Sequence, residues 1–172
     1  VWNCYGPTET TIWSTIYKVN QLHQNSHYNA VPIGKPLLNT TAYVLDEQLN
    51  PMPVNLTGEL YLGGSGLMQT YIGEHASVLN KEKFISNPFN KNELLYKTGD
   101  QVCWLPDGNL QFLGRFDDQV KIRGFRIDLN QIASVLETHD FVKRAIVVKQ
   151  DKQTYDATLI AYLLLEDKNV LS

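Results

Sequence analysis

Gly114-Arg115-Phe116-Asp117-Asp118-Gln119-Val120-Lys121-Ile122-Arg123-Gly124-Phe125-Arg126-Ile127 is the stretch on which the reading of the fold turns. Taken alone, its mixture of cations and anions reads as a solvated face with surface salt bridges. Its importance is that the texture of the chain changes across it. On the C-terminal side Asp128 can cap a helix, with Gln131 three residues later in the capping-box position. Leu129, Ile132, Val135 and Leu136 then fall on one helical face, and residues 142–149 and 158–165 read as apolar strands. That is an α+β unit, and it predicts a boundary at residues 114–118.

On the N-terminal side the pattern is short strands separated by turn residues. Val102-Cys103-Trp104-Leu105, then Pro106-Asp107-Gly108, then Asn109-Leu110-Gln111-Phe112-Leu113 is a hairpin signal, because Pro presets φ and Gly accepts φ > 0. Thr41–Leu45 and Glu59–Leu62 read as further strands, the latter running into Gly63-Gly64-Ser65-Gly66. Lys81 to Phe84 reads as a short helix. After the Gly6-Pro7 turn, Ile12-Trp13-Ser14-Thr15-Ile16-Tyr17 is β-branched and aromatic and predicts a strand. Residues 18–31 are polar and without period, which predicts a surface loop. The expected region is small and mostly antiparallel.

With 15 Lys+Arg against 18 Asp+Glu the net charge is -3, and no basic run marks a nucleic-acid or anionic-membrane surface. Neither partner is expected. Cys4 and Cys103 are too few for a disulfide framework, which points to a reducing, cytoplasmic setting. No apolar run approaches the ~18 residues that span a bilayer. The histidines at 23, 27, 75 and 139 lack the paired spacing of a metal cluster. With no initiator Met and a strand-like start and finish, the chain reads as a fragment.

Four segments concentrate polar chemistry, and each admits two readings. Thr8 and Glu9 leave a rigid Gly-Pro turn; they can cap it, or offer a hydroxyl to a phosphate and a carboxylate to Mg²⁺. Gly63–Gly66 can cradle an anion but lacks the Lys-Ser/Thr of a P-loop, so a structural turn is preferred. Thr98-Gly99-Asp100 reads as a turn, or as a carboxylate aimed at a ribose diol. The fourth is the segment from Gly114.

Taken together, in order, the four resemble one family. Asn3-Cys4-Tyr5-Gly6-Pro7-Thr8-Glu9 resembles N-x-Y-G-P-T-E, and Gly58–Gly66 resembles G-E-L-x-x-x-G-x-G. Tyr96-Lys97-Thr98-Gly99-Asp100 matches Y-[RK]-T-G-D, and Gly114–Ile127 matches G-R-x-D-x-Q-V-K-I-R-G-x-R-I. These are motifs of the amino-acid adenylation domains of non-ribosomal peptide synthetases, within the AMP-binding, acyl-adenylate-forming superfamily. The resemblance covers essentially the whole chain.

The resemblance implies an α+β fold: the β-rich, distorted barrel-like end of the large adenylation subdomain over residues 1–114, a hinge at 115–118, and a partial small subdomain over 119–172. It implies an enzyme that joins an amino-acid carboxylate to the α-phosphorus of ATP and passes the aminoacyl group to a phosphopantetheine thiol on a peptidyl carrier protein, among neighbouring synthetase domains. By residue, it implies α-phosphate contact for Thr8, Mg²⁺ binding for Glu9, an adenine border for Asn3 and Tyr5, and ribose contacts for Asp100 and Arg115. Cys4, Ile12 and Trp13 fall at side-chain pocket positions, although plain strand core explains Ile12 and Trp13 equally well. Asp117 falls at the hinge, and Lys121, Arg123 and Gly124 in the loop that serves thioester formation.

Two places depart from the family's pattern. Met68-Gln69-Thr70-Tyr71 stands where A-R-G-Y is usual, and Asn130-Gln131-Ile132-Ala133 where G-E-I-E is usual. The family's phosphate loop and catalytic lysine match nothing between Val1 and Ser172, so the fragment alone is expected to be inactive. Two alternatives share parts of this pattern: an acyl-CoA or fatty-acyl-AMP ligase, and a degenerate domain that serves only as a platform.

Overall fold

The computed structural model describes residues 1–19, 30–74, 76–122, 125–151 and 157–166. Two compact units divide the chain, Val1–Phe116 and Asp117–Ser172.

The first unit is built on antiparallel strands. β1 (Trp2–Tyr5), β2 (Thr15–Lys18) and β3 (Lys35–Pro36) form one sheet in that order. A larger sheet has the order β4 (Thr40–Leu45), β5 (Gly58–Gly64), β7 (Leu94–Trp104) and β6 (Phe84–Ser86), with β8 (Leu110–Arg115) also paired to β7. Main-chain bonds from Ile33 and Gly34 to the Leu110 carbonyl, 2.8 and 3.2 Å, join the two sheets.

β5 is paired on both edges, and apolar side chains cover both of its faces. Leu60 and Leu62 point one way and pack with Ile33, Val44, Val102 and Leu110, whereas Tyr61 points the other way and packs with Leu45 and Leu95. Each fully buried Leu contributes on the order of 1.5–3 kcal/mol. The expected hairpin forms at Leu105–Asn109, where Asp107 Oδ1 accepts from the Asn109 N–H at 3.0 Å. The helix expected at Lys81 begins earlier and is α1 (Ala76–Lys83), which ends before Phe84.

Two expectations need correction. Thr98-Gly99-Asp100 does not form a turn: it lies inside the 11-residue strand β7 as a bulge. Tyr61 pairs with Lys97 and Glu59 with Gln101, so three residues of β7 oppose only Leu60 on β5. The strand expected from Ile12 begins only at Thr15, because Thr11 and Ile12 take positive φ, 59° and 69°. Ile12 and Trp13 are therefore exposed rather than strand core. Most of the polar stretch expected as a loop at 18–31 lies outside the described residues, as do His23, His27 and His75.

In the second unit β9 (Gln119–Ile122) and β10 (Phe125–Asp128) form an antiparallel pair, followed by α2 (Leu129–Glu137). Asp128 caps α2: its carboxylate accepts from the backbone N–H of Asn130 and Gln131 at 3.0 and 3.2 Å. Leu129 is buried on the expected face, but Val135 is exposed. β11 (Val142–Asp151) and β12 (Ala157–Leu165) complete the unit as a long antiparallel pair. Among the described residues no helix is long and apolar enough to cross a membrane.

Candidate active site

The bulge in β7 sets the first group of side chains. Its extra residues break the ladder, and the freed polar groups find side-chain partners. The Gly99 N–H donates to Glu59 Oε1 at 3.0 Å, and Thr98 Oγ1 donates to the Leu60 carbonyl at 2.7 Å. Thr98 Oγ1 also accepts from the Asp100 N–H at 3.0 Å. Gly99 holds φ at +77°, which a side chain would resist. The bulge brings the Asp100 carboxylate opposite Arg115 across the β7–β8 pairing.

Asp100 is held on both oxygens. Arg115 Nη1 donates to Oδ1, the Tyr5 hydroxyl donates to Oδ2, and Arg115 Nη2 donates to the Thr98 carbonyl at 3.0 Å. Tyr5 comes from the far end of the chain: it ends β1, which puts Asn3 and Tyr5 on one face and Cys4 on the other. Burial first, and then the Asp100 charge, push the Tyr5 phenol well above its ordinary range, so it remains a donor. Three residues expected to meet a nucleoside are thus one bonded cluster. Asn3 is tied separately, donating from Nδ2 to the Pro32 carbonyl at 2.7 Å.

The second group lies on the turn that follows β1. Thr8–Thr10 form one 3₁₀ turn, closed by Thr10 N to Pro7 O and Thr11 N to Thr8 O, both 3.1 Å. Thr8 is exposed at its start. Glu9 is buried, with Oε1 accepting from the Tyr71 hydroxyl at 2.7 Å and its carbonyl accepting from the Met68 N–H at 2.8 Å. Burial and that bond to Glu9 keep the Tyr71 phenol protonated. No group of three or more His, Cys, Asp or Glu among the described residues makes a metal cage. A single carboxylate beside an exposed hydroxyl suits Mg²⁺, which keeps its waters and shares phosphate oxygens rather than filling a protein cage.

Next comes a strained element. Trp13 N donates to Thr11 O at 2.9 Å, which makes Ile12 the centre of a γ-turn at φ +69°, an outlier for a β-branched residue. Gly6 permits it: a Cβ there would lie 2.5 Å from the Ile12 carbonyl and 2.8 Å from Trp13 Cα. The turn holds Ile12 and Trp13 at 71% and 58% exposure, the opposite of what their apolar side chains favour. Cys4 is half-buried.

Of the remaining expected residues, Asp117 accepts from the Gln119 N–H at 3.3 Å within the second unit, and Lys121 lies on β9. Arg123 and Gly124 lie outside the described residues. Reading the sequence missed Glu59, Thr98 and Tyr71 as members of the site. Glu59 and Thr98 stand inside quoted motifs, but their roles depend on a bulge that no periodicity reveals.

Comparison with known proteins finds relatives over nearly the whole chain. The family model described as AMP-binding enzyme matches residues 1–72. Surfactin synthase subunit 3 of Bacillus subtilis (strain 168) is 45% identical over 162 residues, 94% of this chain and 12% of that protein. Tyrocidine synthase 3 of Brevibacillus parabrevis is 43% identical over 166 residues, 96% of this chain and 2% of that protein. The chain thus spans a small part of the length of these relatives. Among solved structures, NpsA-ThdA, an artificially fused adenylation–PCP di-domain from Klebsiella oxytoca, is 29% identical with a TM-score of 0.77, over 99% of this chain and 31% of that one. A four-domain holo nonribosomal peptide synthetase bound to AMP and glycine is 40% identical with a TM-score of 0.58, over 98% of this chain and 12% of that one.

Over nearly its whole length the chain is similar to non-ribosomal peptide synthetases and their adenylation domains, and its residues 1–72 match the AMP-binding family. The Tyr5–Asp100–Arg115 cluster joins β1, inside that match, to β7 and β8 beyond it.

The geometry can be tested through stability at two positions. Arg115→Met leaves a buried carboxylate without its cation and should cost about 3–5 kcal/mol of folding stability by urea unfolding. Adding Asp100→Asn should restore a large part of that loss; no recovery would mean that the guanidinium acts through packing alone. Ile12→Gly should raise stability by about 1 kcal/mol by relieving the positive φ, since little packing is lost at an exposed position. A fall in stability would show that the exposed side chain holds the turn.

Proposed function

We propose that this chain is part of an adenylation domain that activates an amino acid with ATP and transfers it to the phosphopantetheine thiol of a carrier protein. In the first step the amino-acid carboxylate attacks the α-phosphorus and pyrophosphate leaves. In the second the thiol attacks the acyl carbon and AMP leaves. The observation that carries the reading is the cluster of Tyr5 and Arg115 around buried Asp100, a carboxylate fixed beside a cationic donor and suited to a ribose diol. The bound AMP and glycine of the four-domain relative support the same pairing of ligands.

In this reading Asp100 accepts from the ribose hydroxyls and Arg115 adds a donor, while Asn3 and Tyr5 border the adenine. The Thr8 hydroxyl contacts the α-phosphate and Glu9 holds Mg²⁺. When bound, Mg²⁺ would neutralise the phosphate charge that otherwise repels the attacking carboxylate. Because Asp100 and Glu9 are already oriented by their hydrogen bonds, little ordering remains to be done when nucleotide arrives. Cys4, Ile12 and Trp13 line the amino-acid side-chain pocket, where a γ-turn presents apolar surface with no cost in mobility. Residues 1–114 form the end of the large subdomain and 119–172 part of the small one. Between them 115–118 is the hinge, with Asp117 at its pivot and Lys121, Arg123 and Gly124 on the loop that serves thioester formation. The chain alone is inactive in this reading, because no phosphate loop or catalytic lysine of the family's pattern occurs within it.

The test is ATP–pyrophosphate exchange by the complete adenylation domain that carries this chain, across amino acids and fatty acids. Exchange with one amino acid is expected, and none by the 172 residues alone. Exchange only with a fatty acid would establish an acyl ligase instead, and silence from a folded domain would establish a platform. Asp117→Pro should slow thioester formation at least tenfold more than adenylation in single-turnover assays; equal loss in both steps would remove Asp117 from the hinge.

A further inference from the structure

Residues 66–71 lie across the turn that carries Thr8 and Glu9, although the motif reading gave them no function. Three hydrogen bonds fix them there. Met68 N donates to Glu9 O at 2.8 Å, Thr11 Oγ1 donates to Gly66 O at 2.7 Å, and the Tyr71 hydroxyl donates to Glu9 Oε1 at 2.7 Å. The backbones come close enough that a Cβ on Gly66 would lie 2.9 Å from the Thr10 carbonyl. Two of these bonds secure backbone; the third acts on the carboxylate itself.

Tyr71 is in turn fixed from behind. Its N–H donates to Asn80 Oδ1 at 2.8 Å, and Asn80 Nδ2 donates to Thr70 Oγ1 at 2.7 Å. The Phe84 ring is tilted against the phenol, with centroids 5.8 Å apart. Asn80 belongs to α1, a helix with no buried residue, so this bond ties an otherwise superficial helix to the site. Gln69 and Thr70 are among the residues that depart from the family's pattern, and Thr70 is built into the clamp by its hydroxyl.

We infer that Tyr71 is a positioning residue for Glu9, and that Asn80 of α1 holds Tyr71 in place through the Thr70–Tyr71 segment. The inference rests on the reading of Glu9 as the Mg²⁺ ligand. A glutamate side chain has three torsions to order before it can hold a cation in one geometry. The phenol fixes the plane of the carboxylate in advance, as outer partners of metal ligands do, and losing such a partner typically weakens metal affinity 10–100-fold.

The test uses the complete adenylation domain with Mn²⁺ as a paramagnetic stand-in and α,β-methylene ATP as a non-reacting nucleotide. Mn²⁺ affinity is read by electron paramagnetic resonance. Tyr71→Phe keeps the ring against Phe84 and should weaken Mn²⁺ binding about tenfold. In exchange assays the Mg²⁺ needed for half-maximal rate should rise by the same factor, with the amino-acid KM unchanged. Asn80→Ala, which leaves the phenol in place, should shift both in the same direction by a smaller factor and serves if Tyr71→Phe fails to fold. Wild-type Mn²⁺ affinity in Tyr71→Phe or, where that variant does not fold, in Asn80→Ala, beside a Glu9→Gln variant that has lost it, would overturn the inference and leave the reading of Glu9 intact. Wild-type affinity in Glu9→Gln would overturn both.

Discussion

The bulge at Thr98-Gly99-Asp100 is the constraint on which the rest of the first unit depends. A regular strand would point successive side chains to alternate faces and pair every main-chain group. Two extra residues in β7 break that order and free several groups inside a buried sheet. An unpaired buried amide costs on the order of 1–3 kcal/mol, so the bulge persists only because Glu59 and Thr98 take up the freed groups. The G-E-L and T-G-D motifs are therefore one object in space: the first supplies the acceptor that the second requires. Asp100 meets Arg115 and Tyr5 as a consequence.

A recurring device appears around this object. Three tyrosines donate to three carboxylates: Tyr5 to Asp100, Tyr61 to Glu59 and Tyr71 to Glu9. In each case burial is the first cause that raises the phenol, and the neighbouring carboxylate adds to it. The phenols therefore stay protonated and the carboxylates stay oriented. A lysine would orient a carboxylate as well, but it would also cancel the charge. At Glu9 the phenol fixes the geometry without cancelling the charge, whereas Glu59 also has Lys97 Nζ 3.7 Å from Oε2. Asp100 has a guanidinium bonded to it as well, which suits an acceptor of ribose hydroxyls rather than of a cation.

Much of this architecture was legible in the sequence, and the exceptions have physical causes. The hairpin around Pro106-Asp107-Gly108, the Asp128 cap and the paired strands after Val142 follow from local chemistry, which a window of a few residues contains. The bulge was not legible because Thr98-Gly99-Asp100 is indistinguishable from a turn until Glu59, forty positions away in sequence, is known to receive the Gly99 N–H. Ile12 and Trp13 were misplaced for a related reason. Their strand propensity is genuine, but Gly6 removes the Cβ that would block a γ-turn and tertiary contacts override the preference. Motif order carried more of the site than propensity did, because it linked residues that only the fold brings together.

The two departures from the family's pattern can be weighed by what each position does. At Gln131 the group in use is the backbone N–H, which donates to Asp128, and any residue but proline supplies it. At Met68 it is again the backbone, bonded to the Glu9 carbonyl. Thr70 differs, since its side chain accepts from Asn80, and a glycine there would offer nothing to that amide. Here the departing residue gains a partner, and the segment still delivers Tyr71 to Glu9. The substitution at 70 thus reads as a local solution for holding that turn, compatible with an intact site, and the structure gives no account of the one at 69.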